Sequence, residues 1–195
     1  KIRISGILER KIIEVSAPVS EVIIDIPVKT GEQVQKGDLI VQLDTEVAVA
    51  ELKAHEAALS AAKALLKEST GEYRRQEKLR RMNVSSTQSF DRASRKRDEA
   101  IAKVAEKKAR IAQAMKGLND LSIRSRVSGK IDQLPYESGE RTPAGGVVAV
   151  IISNDAPWVR IWLPSAAVAR LNVGQDARVH ISGIDTVYSG YIEYI

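Results

Sequence analysis

No cysteine occurs in the 195 residues, which excludes disulfides, thiol nucleophiles and thiolate metal sites together, and is compatible with an oxidising compartment. Histidine is almost as scarce. His55 and His180 lie far apart, methionine occurs twice, and no cluster has ligand spacing, so no metal site is expected. No apolar run approaches the roughly 18 residues that cross a bilayer, and no secretory leader pattern is present. The chain opens on the strand-like Lys1–Leu8 and stops in mid-pattern at Tyr191–Ile195, so both ends are expected to be cut from a longer protein. No nucleophile motif occurs, and no Gly-rich loop leads from a strand into a helix. Catalytic residues, a cofactor and an enzymatic role are therefore not expected. Aromatic residues make up only 4 %. A chain poor in them and rich in Ala, Lys, Glu and Arg favours long helices, because those side chains lose little entropy there. The net charge of +5 does not point to nucleic acid. Its basic residues gather in the middle third, alternate with acids at helical spacing, and lack interleaved aromatic platforms.

What is present is a repeat. Shifted by 108 positions, Val19–Leu43 falls on Val127–Ile151 without a gap, with Val19/Val127, Ser20/Ser128, Ile23/Ile131, Pro27/Pro135, Gly31/Gly139, Glu32/Glu140 and Gly37/Gly145 identical. Each copy reads as short aliphatic strands, Val22–Ile26 and Leu39–Leu43 in the first, divided by Gly-containing turns. Half a sandwich of this size cannot bury its own apolar face. The two copies are therefore expected to pack as one β domain, with Ile23, Leu39 and Leu43 facing Ile131 and Val147.

Between the copies the period changes to seven. Leu52, Leu59, Leu66 and Tyr73 recur at that interval, then Phe90, Val104, Ile111 and Leu118, with Arg97 interrupting. Sustained sevens specify helices packed along a left-handed seam. The break at Met82-Asn-Val-Ser-Ser-Thr-Gln88 supplies a loop whose Ser or Thr can cap the second helix. Two helices of about 35 residues, each rising roughly 50 Å, are thus expected as an antiparallel hairpin. Asp44, Asp91 and Asp120 are read as caps or exposed charges. Strands return at Ile2–Leu8, Trp158–Leu163 and Ala177–Ile181, with a short helix at Pro164–Leu171, and suggest an incomplete barrel.

This order resembles the HlyD-type membrane fusion, or periplasmic adaptor, proteins, whose lipoyl-type domain is built from two half-motifs around a helical hairpin. The resemblance covers essentially the whole chain. Ser16-Ala-Pro-Val-Ser20 and Val34–Asp44 are similar to the family's first half, while Ser125-Arg126 stands where Ala-Pro is usual and Glu21 replaces a usual Gly. The fold implied is α+β: a lipoyl-like β-sandwich of split halves (13–45 and 121–153), an inserted α-helical hairpin (46–120), and a partial β-barrel (1–12 and 154–195).

The resemblance also implies partners. Arg75, Leu79 and Ser86 have the spacing of the Arg/Leu/Ser tip signature of adaptors that serve TolC-like outer-membrane channels. Arg75 and Leu79, four apart, share a helical face. Arg75 suits carbonyl or carboxylate acceptors, Leu79 a groove between helices, and Ser86 lies across the turn. An inner-membrane transporter is the second partner, and Ala156-Pro-Trp-Val-Arg-Ile-Trp162 is closer to adaptors of ABC exporters than of RND pumps. A homo-oligomer, six copies by family habit, in the periplasm and anchored to the inner membrane by a segment outside this chain, completes the expectation. Two alternatives remain. A biotin or lipoyl carrier needs a modifiable Lys at the turn joining the halves, where Asp44-Thr-Glu46 offers none; Ala114-Met-Lys-Gly117 imitates a biotinyl motif but lies within the second helix. A plain coiled-coil scaffold would not need a split domain.

Overall fold

The computed structural model describes residues 4–84, 86–183 and 185–195. Ile2 and Ser85, which fall in a predicted strand and in the predicted loop, lie outside the described residues. The chain divides into two compact units, Lys1–Lys11 with Ala156–Ile195, and Ile12–Asp155.

The second unit holds the repeat and the hairpin. Strands β2 (Ile12–Ser16), β4 (Gln33–Val34), β7 (Gly129–Gln133) and β8 (Val147–Ser153) form one sheet in the order β2-β8-β7-β4; β3 (Ile23–Asp25), β5 (Leu39–Leu43) and β6 (Ser122–Arg124) form the other, in the order β3-β5-β6. The 108-residue shift maps one sheet onto the other. Ile23 pairs with Leu43 as Ile131 pairs with Ile151, and Val41 pairs with Ile123 as Ala149 pairs with Val15. Gln33 pairs with Lys130, and its counterpart is the isolated bridge between Val22 and Arg141. The turns interlock reciprocally as well. Gly31 N–H donates to Ile131 O and Gly139 N–H to Ile23 O, both at 2.8 Å. Gly31 and Gly139 sit at φ of 88° and 94°, a region where only glycine is free of strain. Each copy thus completes the backbone pairing of the other, which explains why neither could fold alone.

Ile23, Ile40, Leu43, Ile131, Val148 and Ile151 are fully buried in the shared core. The expectation for Leu39 and Val147 needs correction, since both are only half-buried. The register shifts between Leu39 and Val41, and likewise where Val147 follows Ala149 on the partner strand. A bulge there turns two consecutive residues inward, so Ile40 and Val148 take the places expected of their neighbours.

The hairpin consists of α1 (Glu46–Arg81) and α2 (Thr87–Asp120), 36 and 34 residues long, or about 50 Å each. Its root is clasped by the sandwich. Leu43 N–H donates to Leu121 O at 2.9 Å, the Gln42 amide donates to the Leu43 and Leu121 carbonyls, and Ala48 and Leu118 pack on the core. Along the seam the buried residues are mostly small, Ala62 and Ser69 on α1, Ala93 and Ala100 on α2, with Val104 of the predicted period buried beside them. Leu52, Leu59, Leu66 and Tyr73 flank them half-buried.

In the first unit β1 (Gly6–Glu9) pairs antiparallel with β9 (Trp158–Ile161), and β10 (Asp176–His180) with β11 (Val187–Tyr191). A short helix, α3, spans Ser165–Val168. The Trp158 indole donates to Glu9 at 2.9 Å, and Arg160 pairs with the same carboxylate at 3.1 Å. These two separate antiparallel pairs are the strands of this unit among the described residues. No helix is long and apolar enough to cross a membrane among the described residues.

Candidate functional site

The distal end of the hairpin holds Arg75 and Leu79 in the last turns of α1 and Ser86 at the start of α2. Helix α1 stops because Asn83 adopts a left-handed conformation, φ 58°. Asn83 N–H then reaches Arg80 O and Val84 N–H reaches Leu79 O, both at 3.0 Å. This is a Schellman ending, with Asn in the place where Gly is commonest. Leu79 therefore has a structural part: its carbonyl closes the turn, and its side chain is half-buried. Ser86 also has one. It caps α2, its hydroxyl accepting from Ser89 N–H at 3.2 Å and lying 3.0 Å from the Ser89 hydroxyl. Arg75 stands apart, with its side chain 70 % exposed and its guanidinium 3.4 Å from Glu72.

Behind the turn, four side chains fix the two helices against each other. The rings of Tyr73 and Phe90 lie 5.3 Å apart and tilted. Arg80 covers Phe90 at 4.4 Å, and Arg97 covers Tyr73 at 4.0 Å. Each helix supplies one aromatic and one arginine seven residues later, and the antiparallel arrangement puts unlike partners together. Arg97, the interruption in the heptad pattern, is thus a seam residue that packs by its guanidinium face. Asp98 accepts two hydrogen bonds from Arg97, at 2.7 and 3.1 Å, and holds the guanidinium pKa above its ordinary value. The pattern of sevens carried a signal for Arg80 too, one period after Tyr73, but charge made it look like surface.

A groove of about 270 Å³ runs along this part of the hairpin, lined by Glu72, Gln76, Ser89, Arg92, Ala93 and Lys96. Near the root a second groove, of about 430 Å³, passes His55, Arg110, Ala114 and Gly117. His55 lies there 3.6 Å from Glu51 on its own helix. Glu106, holding Lys107 and Arg110, has its carboxyl pKa pushed below the ordinary range, by Lys107 first. Lys116, within the imitation biotinyl motif, lies about one turn before the C-terminal end of α2 and pairs with Asp120. Asp44, one residue before the Thr45 N-cap of α1, accepts from Glu46 N–H at 2.9 Å.

The distal end of the hairpin thus presents a tight capped turn, an exposed guanidinium and a braced shaft. No protein-family model matches the chain. Over 191 residues it is 24 % identical to the uncharacterized protein YdhJ of Escherichia coli (strain K12), covering 97 % of this chain and 66 % of that protein. In fold it is similar to the membrane fusion protein Spr0693 from Streptococcus pneumoniae R6, with a TM-score of 0.76, 20 % identity, and coverage of 97 % of this chain and 80 % of that one. It is similar also to a candidate efflux transporter from Bacteroides eggerthii DSM 20697, with a TM-score of 0.67, 20 % identity, and coverage of 95 % and 54 %. The α+β fold, a split sandwich carrying a helical hairpin, is the one that membrane fusion proteins have. The chain spans about half to two thirds of the length of YdhJ and the Bacteroides protein.

Proposed function

We propose that this chain is the central part of a periplasmic adaptor, which joins an inner-membrane transporter to a TolC-like outer-membrane channel by assembly and gating, without covalent chemistry. The observation that carries the reading is the split sandwich. Two halves 108 residues apart fold around a hairpin of about 50 Å, whose base is locked at Leu43 and Leu121. A rigid arm held at one end and capped at the other suits reach and contact. The hairpin meets the channel through Arg75, Leu79 and Ser86. Arg75 and Ser86 are both exposed to a partner, and Leu79 and Ser86 also shape the turn, the first by its carbonyl and the second by its cap. The sandwich and barrel domains, with boundaries near residues 12 and 154, serve lateral packing in a ring of copies, six by family habit, and transporter contact. An ABC exporter is the proposed transporter in preference to an RND pump.

The test is Arg75→Asp in the full-length protein. Loss of a charge-assisted hydrogen bond at a partly desolvated contact costs about 1.5–3 kcal/mol per copy, and the ring multiplies it. Export and cross-linking to the channel should collapse while the purified protein melts as the wild type does. Ser86→Arg should impair docking too, with a small loss of helix stability because the cap goes. If both variants export and cross-link at the wild-type level, the tip does not dock and the channel assignment fails.

A further inference from the structure

The distal third of the hairpin carries a charge distribution that the signature residues do not describe. Residues 72–98 hold nine Lys and Arg against four Asp and Glu, a net of +5 that equals the formal charge of the whole chain. The turn itself, Met82 to Gln88, holds no charge, and Met82 and Val84 are exposed there. Three of the cations have neighbours of opposite sign, Arg75 with Glu72, Arg81 with Glu77, and Arg97 with Asp98. Arg80 covers Phe90. The other five, Arg74, Lys78, Arg92, Arg95 and Lys96, are exposed and in no ion pair among the described residues. Arg92 and Lys96 line the groove of about 270 Å³ together with Ser89 and Ala93 of α2 and Glu72 and Gln76 of α1, Glu72 being the carboxylate already beside Arg75. Arg74, Lys78 and Arg95 are exposed and do not line that groove. At 1.5 Å per residue the five sit about 5–14 Å behind the turn.

We infer that this collar is a docking element for a carboxylate-lined recess, formed by helices of the partner, that surrounds the shaft and seats an acidic side chain between Arg92 and Lys96. The inference rests on the adaptor reading and deepens it by giving the chemistry of the channel surface. A flat anionic surface met end-on would touch the uncharged turn first. Much of the collar would then stand about a Debye length (~8 Å) away and be screened. A recess that envelops the last turns reaches all five cations at once. Like-signed unpaired charges on one stretch raise the rate of encounter with an acidic partner and make it depend on salt.

The experiment uses the full-length protein and the purified TolC-type channel of the same bacterium in nanodiscs. One variant combines Arg74→Gln, Lys78→Gln, Arg92→Gln and Lys96→Gln; a second exchanges Arg and Lys at the same four positions. The neutral variant should associate at least tenfold more slowly, with most of the salt dependence gone, and the exchanged variant within about threefold of wild type. A zero-length carbodiimide should join Lys78 or Lys96 to channel Asp or Glu residues, identified by mass spectrometry. Wild-type association by the neutral variant overturns the collar and leaves the adaptor reading standing. An exchanged variant as slow as the neutral one overturns it too, because side-chain shape rather than charge would be read. Collar-dependent binding to phosphatidylglycerol vesicles, with channel association unchanged, assigns the charge to a membrane and overturns it likewise. If wild-type protein does not bind the channel at all, both readings fall.

Discussion

The two copies of the repeat share a backbone plan and differ where each meets the rest of the chain. At the end of the first copy β5 stops at Leu43, and the helix begins at Glu46; in the second, β8 runs on to Ser153. That extra length brings Ser153 opposite Gly129. A Cβ on Gly129 would lie 2.3 Å from Ile152 O and 2.8 Å from the Ile151 side chain. The equivalent position in the first copy is Glu21, which tolerates a long side chain because no strand continues beside it. Glu21 accepts from Val22 N–H at 2.9 Å and pairs with Arg141 at 3.2 Å. A family Gly is thus needed in one half and dispensable in the other. Ser125-Arg126, the other departure, keeps the turn of its counterpart. Gly37 N–H donates to Ser125 O as Gly145 N–H does to Ala17 O, both at 2.8 Å, and the buried Ser125 hydroxyl bonds within its own turn to Val127 O. Equivalence of fold therefore rests on the backbone pairing, and side chains vary wherever that pairing leaves room.

The largest expected effect breaks the comparison evenly. Ile131→Asp and Ile23→Asp place an unpaired carboxylate at fully buried equivalent positions, at a cost of several kcal/mol. Both should unfold the sandwich, read as loss of its thermal transition; a soluble variant with an unchanged melt would contradict the shared core. Gly129→Ala should break it unevenly, costing about 2–3 kcal/mol by forcing β7 away from β8. Glu21→Ala loses a half-exposed pair and a local hydrogen bond, about 1 kcal/mol or less. Equal chemical-denaturation shifts for the two would contradict the account of where strand length differs.

The hairpin answers to a different rule, since its seam is half-exposed and lined by small residues. Leu66→Ala should cost about 1–2 kcal/mol, less than the 2–5 typical of a fully buried Leu, with helical circular dichroism melting earlier. An unaffected melt would show the register to be wrong. The smallest effect repairs an asymmetry. Thr142 is fully buried with its hydroxyl unpartnered among the described residues, and its equivalent in the first copy is Val34, also buried. Thr142→Val should stabilise by about 1 kcal/mol, since an unsatisfied buried hydroxyl is relieved without a change of shape. A destabilised variant would mean that the hydroxyl has a partner, such as an ordered water.

The candidate site was legible unevenly. Resemblance to a linear tip signature singled out Arg75, Leu79 and Ser86 as candidates, and the cap by Ser86 follows from residue type next to a helical period. It did not show that Asn83 would take the left-handed position, nor that Leu79 closes the turn with its own carbonyl. Arg80 and Arg97 were hidden for a related reason. A pattern of sevens is recognised by apolar side chains, while a guanidinium can enter a seam only if an aromatic face stands opposite. That partner comes from the other helix.

By itself the sequence determined the repeat, the hairpin inserted in it, and the turns at Gly31, Gly37, Gly139 and Gly145, because period and glycine conformation are local properties of the chain. Tertiary structure alone decided that Ile40 and Val148, rather than Leu39 and Val147, fill the core. The bulge that turns them inward arises from register between strands about 80 and 130 residues apart. It decided too that Gly129 has no room for a side chain while Glu21 does. Closeness between strands depends on where the neighbouring strand ends, which no stretch of either copy encodes.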